Sequence, residues 1–293
     1  MISENKKGEL MIYAEVLLWA FFPIVTVFSF VTMPSLLSLA WSSVFACLFF
    51  IPIMAYQKRW GEMKNILLFQ YVLGITLFNG VSFYVLYFTA LKYTTPGNAA
   101  IISLLEILTT FIFFNVVLSE KISKEYVVGA CFMLLGALVV LTPNFVGINI
   151  GDFLILAATI IAPVGNFLQQ RARKLASGET IIFLRNLTAI PAIFFLAYVF
   201  GQRASFLDIQ WSFLFLLING VLFFGLSKLL WLEGIHRMSV TKAMAMQGIV
   251  PIITLCAAWV FLDQEPTIWQ LLSLAPLSIG LLLLTDQLRF TKK

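Results

Sequence analysis

The chain has little of what soluble enzymes and metalloproteins are built from: 11% of its residues are charged, and it has one histidine and three cysteines. Cys47, Cys131 and Cys256 lie in apolar runs and form no CxxC pair, so neither disulfide nor zinc chemistry is indicated. His236 stands beside Arg237 among polar residues, and one histidine alone predicts neither a histidine-based metal site nor a catalytic site. We therefore expect no metal and no cofactor.

The sequence also lacks the motifs of ATP hydrolysis and of catalysis. No GxxxxGK[ST] phosphate-binding motif occurs, so the chain is not expected to use ATP by that route. An intramembrane enzyme needs a nucleophile, a base or metal ligands grouped together, and no such group is apparent. We expect a protein that is not an enzyme.

What the sequence has in abundance is apolar length. Of its 293 residues, 61% are hydrophobic and 29 are phenylalanine, and the mean hydropathy is +0.97, which ordinary soluble domains do not show. Ten windows are apolar and long enough to cross a bilayer, at 10–30, 35–56, 67–90, 99–118, 126–142, 152–169, 180–200, 211–232, 243–262 and 268–285. Because lipid leaves no partner for free backbone groups, we predict helices here. The predicted fold class is all-α integral membrane, and the first window is too long for a cleaved signal peptide.

Basic residues predict the orientation of these spans, because lysine and arginine in short loops stay on the cytoplasmic side. If the N-terminus is inside, only Lys92 and Arg203 of the 19 basic residues fall in outer loops. Arg185 and Lys228 lie within helices, and the rest lie in inner segments. This bias predicts an even number of spans with both termini in the cytoplasm. It also accounts for the net charge of +5, so no nucleic-acid partner is expected.

The two halves of the chain resemble each other at a shift of 144 residues, where AAIISLLEILTTFIFFNVVLSEKIS falls on AMAMQGIVPIITLCAAWVFLDQEPT. The predicted span boundaries coincide as well. Five spans per half is an odd number, so the second half is predicted to enter the membrane in the opposite sense. Such inverted repeats are typical of secondary transporters. The predicted repeats are residues 1–145 and 146–293, joined in one integrated transmembrane domain.

Several segments resemble a known transporter family. The sixth span opens with a Gly-Asp pair shortly before LILAATIIAPVGNFLQQRARK, and the fourth and ninth spans end in LSEK and LDQEPT. In a chain of ten spans, these segments resemble the EamA family of the drug/metabolite transporter superfamily over nearly the whole length. The resemblance implies a bacterial inner-membrane carrier, commonly an exporter, with a cavity lined by helices 1, 3, 4, 6, 8 and 9. Family members often have proline in the middle of helices 4 and 9; here Pro251 keeps it in helix 9, and Ile107 stands in its place in helix 4.

Four ionisable residues lie well inside the predicted spans, namely Glu15, Glu106, Arg185 and Lys228. A charge near the bilayer centre costs at least ~2.5 kcal/mol, so each is expected to face the protein interior or a wet cavity. Counted at ~1.5 Å per residue, Glu15, Arg185 and Lys228 share a level near the cytoplasmic side. Glu106 lies about 10 Å away in the outer half. Depth therefore favours a charge network of Glu15 with Arg185 or Lys228 and leaves Glu106 apart.

The buried bases have two interpretations that the sequence leaves open. Arg185 and Lys228 either reach toward the cytoplasmic interface or lock helices together through Glu15. Alternatively, Lys228 binds the carboxylate of a substrate.

Glu106 also has two interpretations. Hydroxyl groups of its own helix, on Ser103, Thr109 or Thr110, would hold it as a structural residue. Alternatively, it faces the cavity and binds an amine or takes up a proton.

Uncharged residues complete the predicted site. Gln247 falls on a serine of the fourth span at the repeat shift, which would place a polar group of each half near the axis. Asn79 and Asn166 are further candidates, with interhelical hydrogen bonding as the alternative. Trp19 and Tyr84 lie on cavity helices of the resemblance, away from the interfacial belts. The predicted substrate-binding residues are Glu106, Lys228, Gln247, Asn79, Tyr84, Trp19 and Asn166.

These features predict a secondary transporter driven by a substrate or proton gradient. The first hypothesis is export of amino acids or similar zwitterionic metabolites by alternating access, because an acid and a base in one cavity neutralise both ends of the substrate. The alternative is a carrier or efflux pump for organic cations or drugs, with proton coupling through Glu106. The expected partners are a small-molecule substrate and the lipid bilayer. The sequence leaves the substrate, the direction and the oligomeric state open.

Overall fold

The protein is built from helices. A computed structural model of the chain describes residues 4–118, 124–145, 149–238, 243, 246–284 and 288, without the side chains of 114–118, 124, 126, 144 and 145. Within these residues every regular element is a helix and no strand occurs. The predicted all-α fold class is confirmed. The predicted end of the fourth span at Ser119 to Lys121 lies outside the described residues.

The helices follow one another through short connections. They are α1 (Glu4–Ser29), α2 (Ser35–Tyr56), α3 (Ile66–Ala90), α4 (Pro96–Ser103 and Leu105–Leu118), α5 (Lys124–Leu141), α6 (Ile150–Ala172), α7 (Gly178–Val199), α8 (Phe206–Arg237), α9 (Val250–Leu262) and α10 (Ile268–Leu284). Ala243, Met246 and Gln247 are also helical and precede α9. In the described part of the chain, 7 helices are long and apolar enough to cross a membrane, and shorter apolar helices lie in α5, α9 and α10. The ten predicted spans correspond to these ten helices.

Polar caps start two of these helices before the apolar windows begin. The Ser205 side chain accepts a hydrogen bond from the Asp208 backbone and Asp208 reciprocates, which makes a capping box, so α8 begins at Phe206. Thr95 caps α4, whose first residue is Pro96, where a missing N–H costs nothing. A hydropathy window does not register such caps.

The outside of the helix bundle is apolar. Leu17, Phe195 and Val260 are all more than half exposed, while Phe22 and Phe50 are fully buried. An apolar surface of this extent is unfavourable in water and is what hydrocarbon requires. The chain is therefore an integral membrane protein with several spans.

Helix contacts follow an approximate two-fold relation between the first five helices and the last five. α3 packs on α6 and α7, and correspondingly α8 packs on α1 and α2. Helices that hold the same position in each half also pack on each other: α2 on α7, α4 on α9 and α5 on α10. Because short connections make successive helices alternate in direction, helices five apart run oppositely. This is the contact pattern of an inverted repeat.

Three helices are interrupted and a turn precedes a fourth, in two matching pairs. α3 contains a π-helical segment at Thr76–Ser82, and α8 contains one at Asn219–Ser227. α4 is interrupted by a turn at Leu104, and Gly248 with Ile249 forms a turn just before α9. Such interruptions concentrate at functional sites because they release backbone groups and redirect side chains. The interruption of α4 occurs without the proline that the family resemblance led us to look for.

The tripeptide Asn-Gly-Val occurs in both π-helical segments, at 79–81 and 219–221. A Cβ atom on Gly80 would lie 3.3 Å from Cγ of Arg185 in α7. One on Gly220 would lie 2.5 Å from the backbone oxygen of Ser42 in α2. Glycine thus permits a close helix approach at the corresponding place in each half. The offset here is 140 residues, so the constant shift of 144 is only approximate.

Candidate functional site

A cavity between the two halves brings together every residue predicted for the site. It contains about 800 Å³ of space not occupied by protein atoms, part of which is open to solvent. It is lined by α1, α3, α4, α6, α7 and α8 and by the helical turns around the start of α9. The resemblance implied six of these helices, and Arg185 adds α7. The predicted residues on its wall are Glu15, Trp19, Asn79, Tyr84, Glu106, Asn166, Arg185, Lys228 and Gln247. Their roles in binding stay predictions.

The charges of the cavity are divided between the halves. Both acids, Glu15 and Glu106, belong to the first five helices, and both bases, Arg185 and Lys228, belong to the last five. Glu15 is 1% exposed and Arg185 is 2% exposed, so neither is solvated as a surface charge would be. Each of these groups therefore depends on the cavity for its stabilisation.

The Glu15 carboxylate is held by the other half of the protein. Gln247 donates from Nε2 to Glu15 Oε2 at 2.5 Å. Ser227 donates from Oγ to Glu15 Oε1 at 3.4 Å. The carboxylate of α1 thereby bridges to α8 and to the helical turn that precedes α9.

The Glu106 carboxylate is held in the same manner, at the end of a chain of amides. Asn166 of α6 donates from Nδ2 to Glu106 Oε1 at 2.8 Å. Asn79 of α3 donates in turn from Nδ2 to Asn166 Oδ1 at 2.9 Å. The two asparagines thus bond each other across helices, and one of them also bonds a buried acid.

The hypothesis that hydroxyls of its own helix hold Glu106 is wrong. Ser103 donates instead to the backbone oxygen of Ala99 at 2.6 Å. Thr109 donates to the backbone oxygen of Thr159 at 2.6 Å. The Ser103 bond runs to the carbonyl one turn back in its own helix, the Thr109 bond crosses to α6, and Thr110 has no hydrogen-bond partner among the described residues, so none of the three hydroxyls holds the Glu106 carboxylate.

The Lys228 ammonium lies between aromatic and acidic groups. Its Nζ is 3.2 Å from the centroid of the Trp19 ring, which stacks on Phe22 with centroids 4.4 Å apart. Glu15 and Glu106 line the same cavity and attract it electrostatically. A cation over an indole face and near two carboxylates is well compensated.

No ion pair within 4.0 Å joins any of the four buried charges in the described part of the chain. Neither of the two predicted pairs, Glu15 with Arg185 or Glu15 with Lys228, is therefore a direct ion pair. The Glu15 carboxylate instead accepts hydrogen bonds from the Gln247 amide and the Ser227 hydroxyl. Depth counted along straight helices also set Glu106 apart, whereas it shares one cavity with Lys228.

Two further residues that line the cavity, Trp231 and Gln169, and the Ser227 hydroxyl that bonds Glu15 were not among the predicted site residues. Trp231 follows Lys228 by three positions, and Gln169 follows Asn166 by three. Residues three apart share a helix face. That spacing was the available signal.

Charged side chains join the helices at the face of the bundle where α1 begins. Arg173 Nη2 lies 2.7 Å from Glu233 Oε1. Arg237 also contacts Glu233, and its Nε lies 3.3 Å from Oε2 of Glu4. The ends of α6 and α8 are thereby tied to the start of α1.

At the opposite face, one carboxyl group and uncharged polar side chains form a hydrogen-bonded network in the corresponding place. Asp152, in the first turn of α6, accepts hydrogen bonds from Thr94 and from Asn98, whose Nδ2 is 3.1 Å from Oδ2. Gln270 of α10 donates from Nε2 to Asn98 Oδ1 at 2.6 Å. The loop between α3 and α4 is thereby tied to α6 and α10, as the end of α8 is tied to α1 at the other face.

Comparison with known proteins agrees with the fold. The model of the EamA-like transporter family matches residues 6–142 and 149–286, once in each half. The "Uncharacterized transporter YyaM" of Bacillus subtilis (strain 168) is 23% identical over 232 residues, which cover 75% of this chain and 73% of that protein. One crystal structure, 19% identical, superposes with a TM-score of 0.73 over 98% of this chain and 100% of the other, a likeness of fold alone. Because the family match extends over both halves, the chain belongs to the EamA-like transporter family.

Proposed function

We propose that this transporter exports amino acids or similar small zwitterionic metabolites across the bacterial inner membrane. The observation that carries the proposal is one cavity lined by two acids and two bases. A zwitterion needs both kinds of partner to replace its hydration, and each charge-assisted hydrogen bond is stronger than a neutral one. A cavity with charges of one sign would satisfy only one end of such a substrate.

Binding of the substrate ammonium would displace neutral donors. Gln247 donates to Glu15 and Asn166 donates to Glu106, and both amides come from the second half. An ammonium group offers a stronger, charged donor to the same carboxylate oxygens. Its arrival therefore releases an amide contact between the halves.

The organic-cation hypothesis fits the site less well. Arg185 and Lys228 line the same cavity, and an organic cation offers no negative group to either of them. Trp19 and Tyr84 supply aromatic faces, but the Trp19 face is already occupied by the Lys228 ammonium. Repulsion from two buried bases outweighs one further aromatic contact.

Alternating access is part of the same proposal. The interrupted helices α3, α4 and α8 and the turn before α9 surround the cavity, and separate polar networks tie the two faces. A carrier that opened one face would break the network there and keep the other. The division into repeats 1–145 and 146–293, and the cytoplasmic location of both termini inferred from the basic residues, belong to this proposal.

Flux into liposomes tests the proposal. Purified protein is reconstituted, and uptake of each labelled standard L-amino acid is compared with uptake into protein-free liposomes and with uptake of labelled tetraphenylphosphonium. We expect saturable flux of at least one zwitterion and none of the organic cation. Glu106 is the candidate for proton coupling, so an imposed pH gradient should change flux in the wild type and leave the residual flux of Glu106→Gln unchanged. Flux of the cation alone, or of no amino acid by folded protein, would reject the proposal.

A further inference from the structure

Among the described residues, Arg185 is a buried cation with no carboxylate within 4.0 Å. Its side chain is 2% exposed and lines the cavity from α7. One guanidinium nitrogen, Nη2, donates to Asn186 Oδ1 at 3.3 Å, whereas Nε has no hydrogen-bond partner. The other groups acting on it are the Tyr84 side chain, whose ring centroid is 5.8 Å from Cζ, and the Cys47 thiol. No carboxylate among the described residues is one of its partners.

Lys228 differs from Arg185 in this respect. The Lys228 ammonium is under the influence of both Glu15 and Glu106 and lies on the Trp19 ring. Arg185 acts on Lys228 only as a like charge. The positive charge of the cavity is thus compensated at α8 and uncompensated at α7.

An uncompensated buried guanidinium requires an anion from elsewhere. Arginine keeps its proton at all relevant pH values, so it cannot escape the cost of burial by becoming neutral as lysine can. Its planar fork of N–H groups matches the two oxygens of a carboxylate. The unpartnered Nε–H is one of the donors in that planar group.

A buried acceptor on the same wall also lacks a partner. Oδ1 of Asn79 receives no hydrogen bond, although the Nδ2 of the same side chain is bonded to Asn166. The neighbouring Gly80 brings α3 against Arg185, since a Cβ there would lie 3.3 Å from Cγ of that arginine. Asn79 Oδ1 is itself packed against Gly165 of α6, where an added Cβ would lie 2.2 Å from it, so Arg185 supplies the unused polar group that this wall offers a ligand.

We propose that Arg185 is the anion-binding residue of the cavity and takes the carboxylate of the substrate. The proposal rests on the proposed function for the identity of the substrate. It replaces Lys228 by Arg185 as the carboxylate anchor. Lys228 then serves as the cation that attracts both Glu15 and Glu106.

Carboxylate binding by the full-length protein in detergent tests this assignment without any transport measurement. The probes are acetate, benzoate and L-leucine, each beside its amide, in a chloride-free sulfonate buffer. We expect at least one carboxylate to raise the unfolding temperature where its amide does not. Arg185→Gln should weaken that binding at least about tenfold. Arg185→Lys, which keeps the charge and loses the fork, should be intermediate.

The matched control is Lys174→Gln, which removes one positive charge from an exposed position near the end of α6. It should bind the carboxylate as the wild type does. Without ligand, Arg185→Gln should unfold at the wild-type temperature or above it, because it removes an uncompensated charge.

Three results would overturn the assignment: no carboxylate stabilises more than its amide, Arg185→Gln binds as tightly as the wild type, or Arg185→Gln without ligand unfolds well below the wild type. The last result would show that Arg185 stabilises the fold itself. Binding that depends on Arg185 in a protein with no amino-acid flux would instead support this site and reject the proposed function alone.

Discussion

At the scale of residues, the two cavity acids are held by neutral amides of the opposite half. Gln247 bonds Glu15 and Asn166 bonds Glu106. An amide satisfies a carboxylate without cancelling its charge, so the acid stays attractive to an incoming ammonium group. A salt bridge at the same place would be harder to open, because separating it leaves two buried charges.

Gly165 tests how closely this amide chain is packed. A Cβ atom there would lie 2.2 Å from both Cγ and Oδ1 of Asn79. Gly165→Ala should therefore displace Asn79 from Asn166, lower the free energy of unfolding by about 1–3 kcal/mol and weaken substrate binding. Thermal unfolding and ligand-induced shifts measure both effects. Gly61→Ala is the control, since no atom lies within 4 Å of its Cβ; equal behaviour of the two variants would contradict the packing argument.

At the scale of elements, the Asn-Gly-Val segments bring α3 onto α7 and α8 onto α2. The two approaches are not equally tight. A Cβ on Gly220 would meet backbone atoms of α2, 2.5 Å from Ser42 O and 2.9 Å from Ala46 N. A Cβ on Gly80 would meet only side-chain atoms at 3.3 Å or more. Backbone cannot move aside without shifting a whole helix.

Alanine at these two glycines should therefore have unequal effects on stability. Gly220→Ala should lower the free energy of unfolding by about 2 kcal/mol or more, and Gly80→Ala by less than about 1 kcal/mol. Thermal unfolding in one detergent compares them directly. If Gly80→Ala proved the more damaging variant, the asymmetry of helix packing described above would be incorrect.

Glu62, in the connection between α2 and α3, fixes that connection to the start of α7. Partial burial would raise the pKa of the Glu62 carboxyl, but hydrogen bonds from Thr180, Ser177 and Arg59 outweigh it and lower the pKa below its usual 4.5. Because the pKa of Glu62 is lower in the folded than in the unfolded protein, its ionised carboxylate stabilises the fold at pH values above the unfolded pKa. This stabilisation is lost as the pH falls through the folded pKa.

Glu62→Gln should accordingly destabilise the protein near neutral pH, and its difference from the wild type should shrink as the pH falls below about 4. Unfolding temperatures measured across this pH range give the difference. Glu265→Gln, at an exposed position, should show no such trend. A difference between Glu62→Gln and the wild type that grew toward acid would reverse the assigned sign.

Hydropathy predicted the spans well where a helix is uniformly apolar. The predicted window 35–56 coincides with α2, and the window 67–90 differs from α3 by one residue. The interruptions escaped prediction because they depend on packing between helices. Leu104, at the turn in α4, is an ordinary helix-forming residue, and no proline marks the place. The partners of Glu106 could not be predicted for a related reason. A depth counted along straight helices does not show where a cavity crosses the bundle.

At the scale of the whole molecule, the two halves are alike in fold and opposite in charge at the cavity. The acids lie in the first half and the bases in the second. The inverted repeat could be predicted because the span boundaries of the two halves coincide and each half has an odd number of spans. The complementary charges could not, because which helices face one another is decided by the three-dimensional packing. A substrate that binds both kinds of charge binds both halves at once, which links its binding to their relative movement.

The most direct test is exchange of labelled amino acid across liposomes by three proteins: wild type, Glu106→Gln and Glu265→Gln. If the buried acids bind the substrate, Glu106→Gln keeps its fold and its unfolding temperature but loses exchange by at least about tenfold. Glu265→Gln, which removes an exposed acid, exchanges at the wild-type rate. Undiminished exchange by Glu106→Gln would contradict the claim that the cavity between the halves is the transport site.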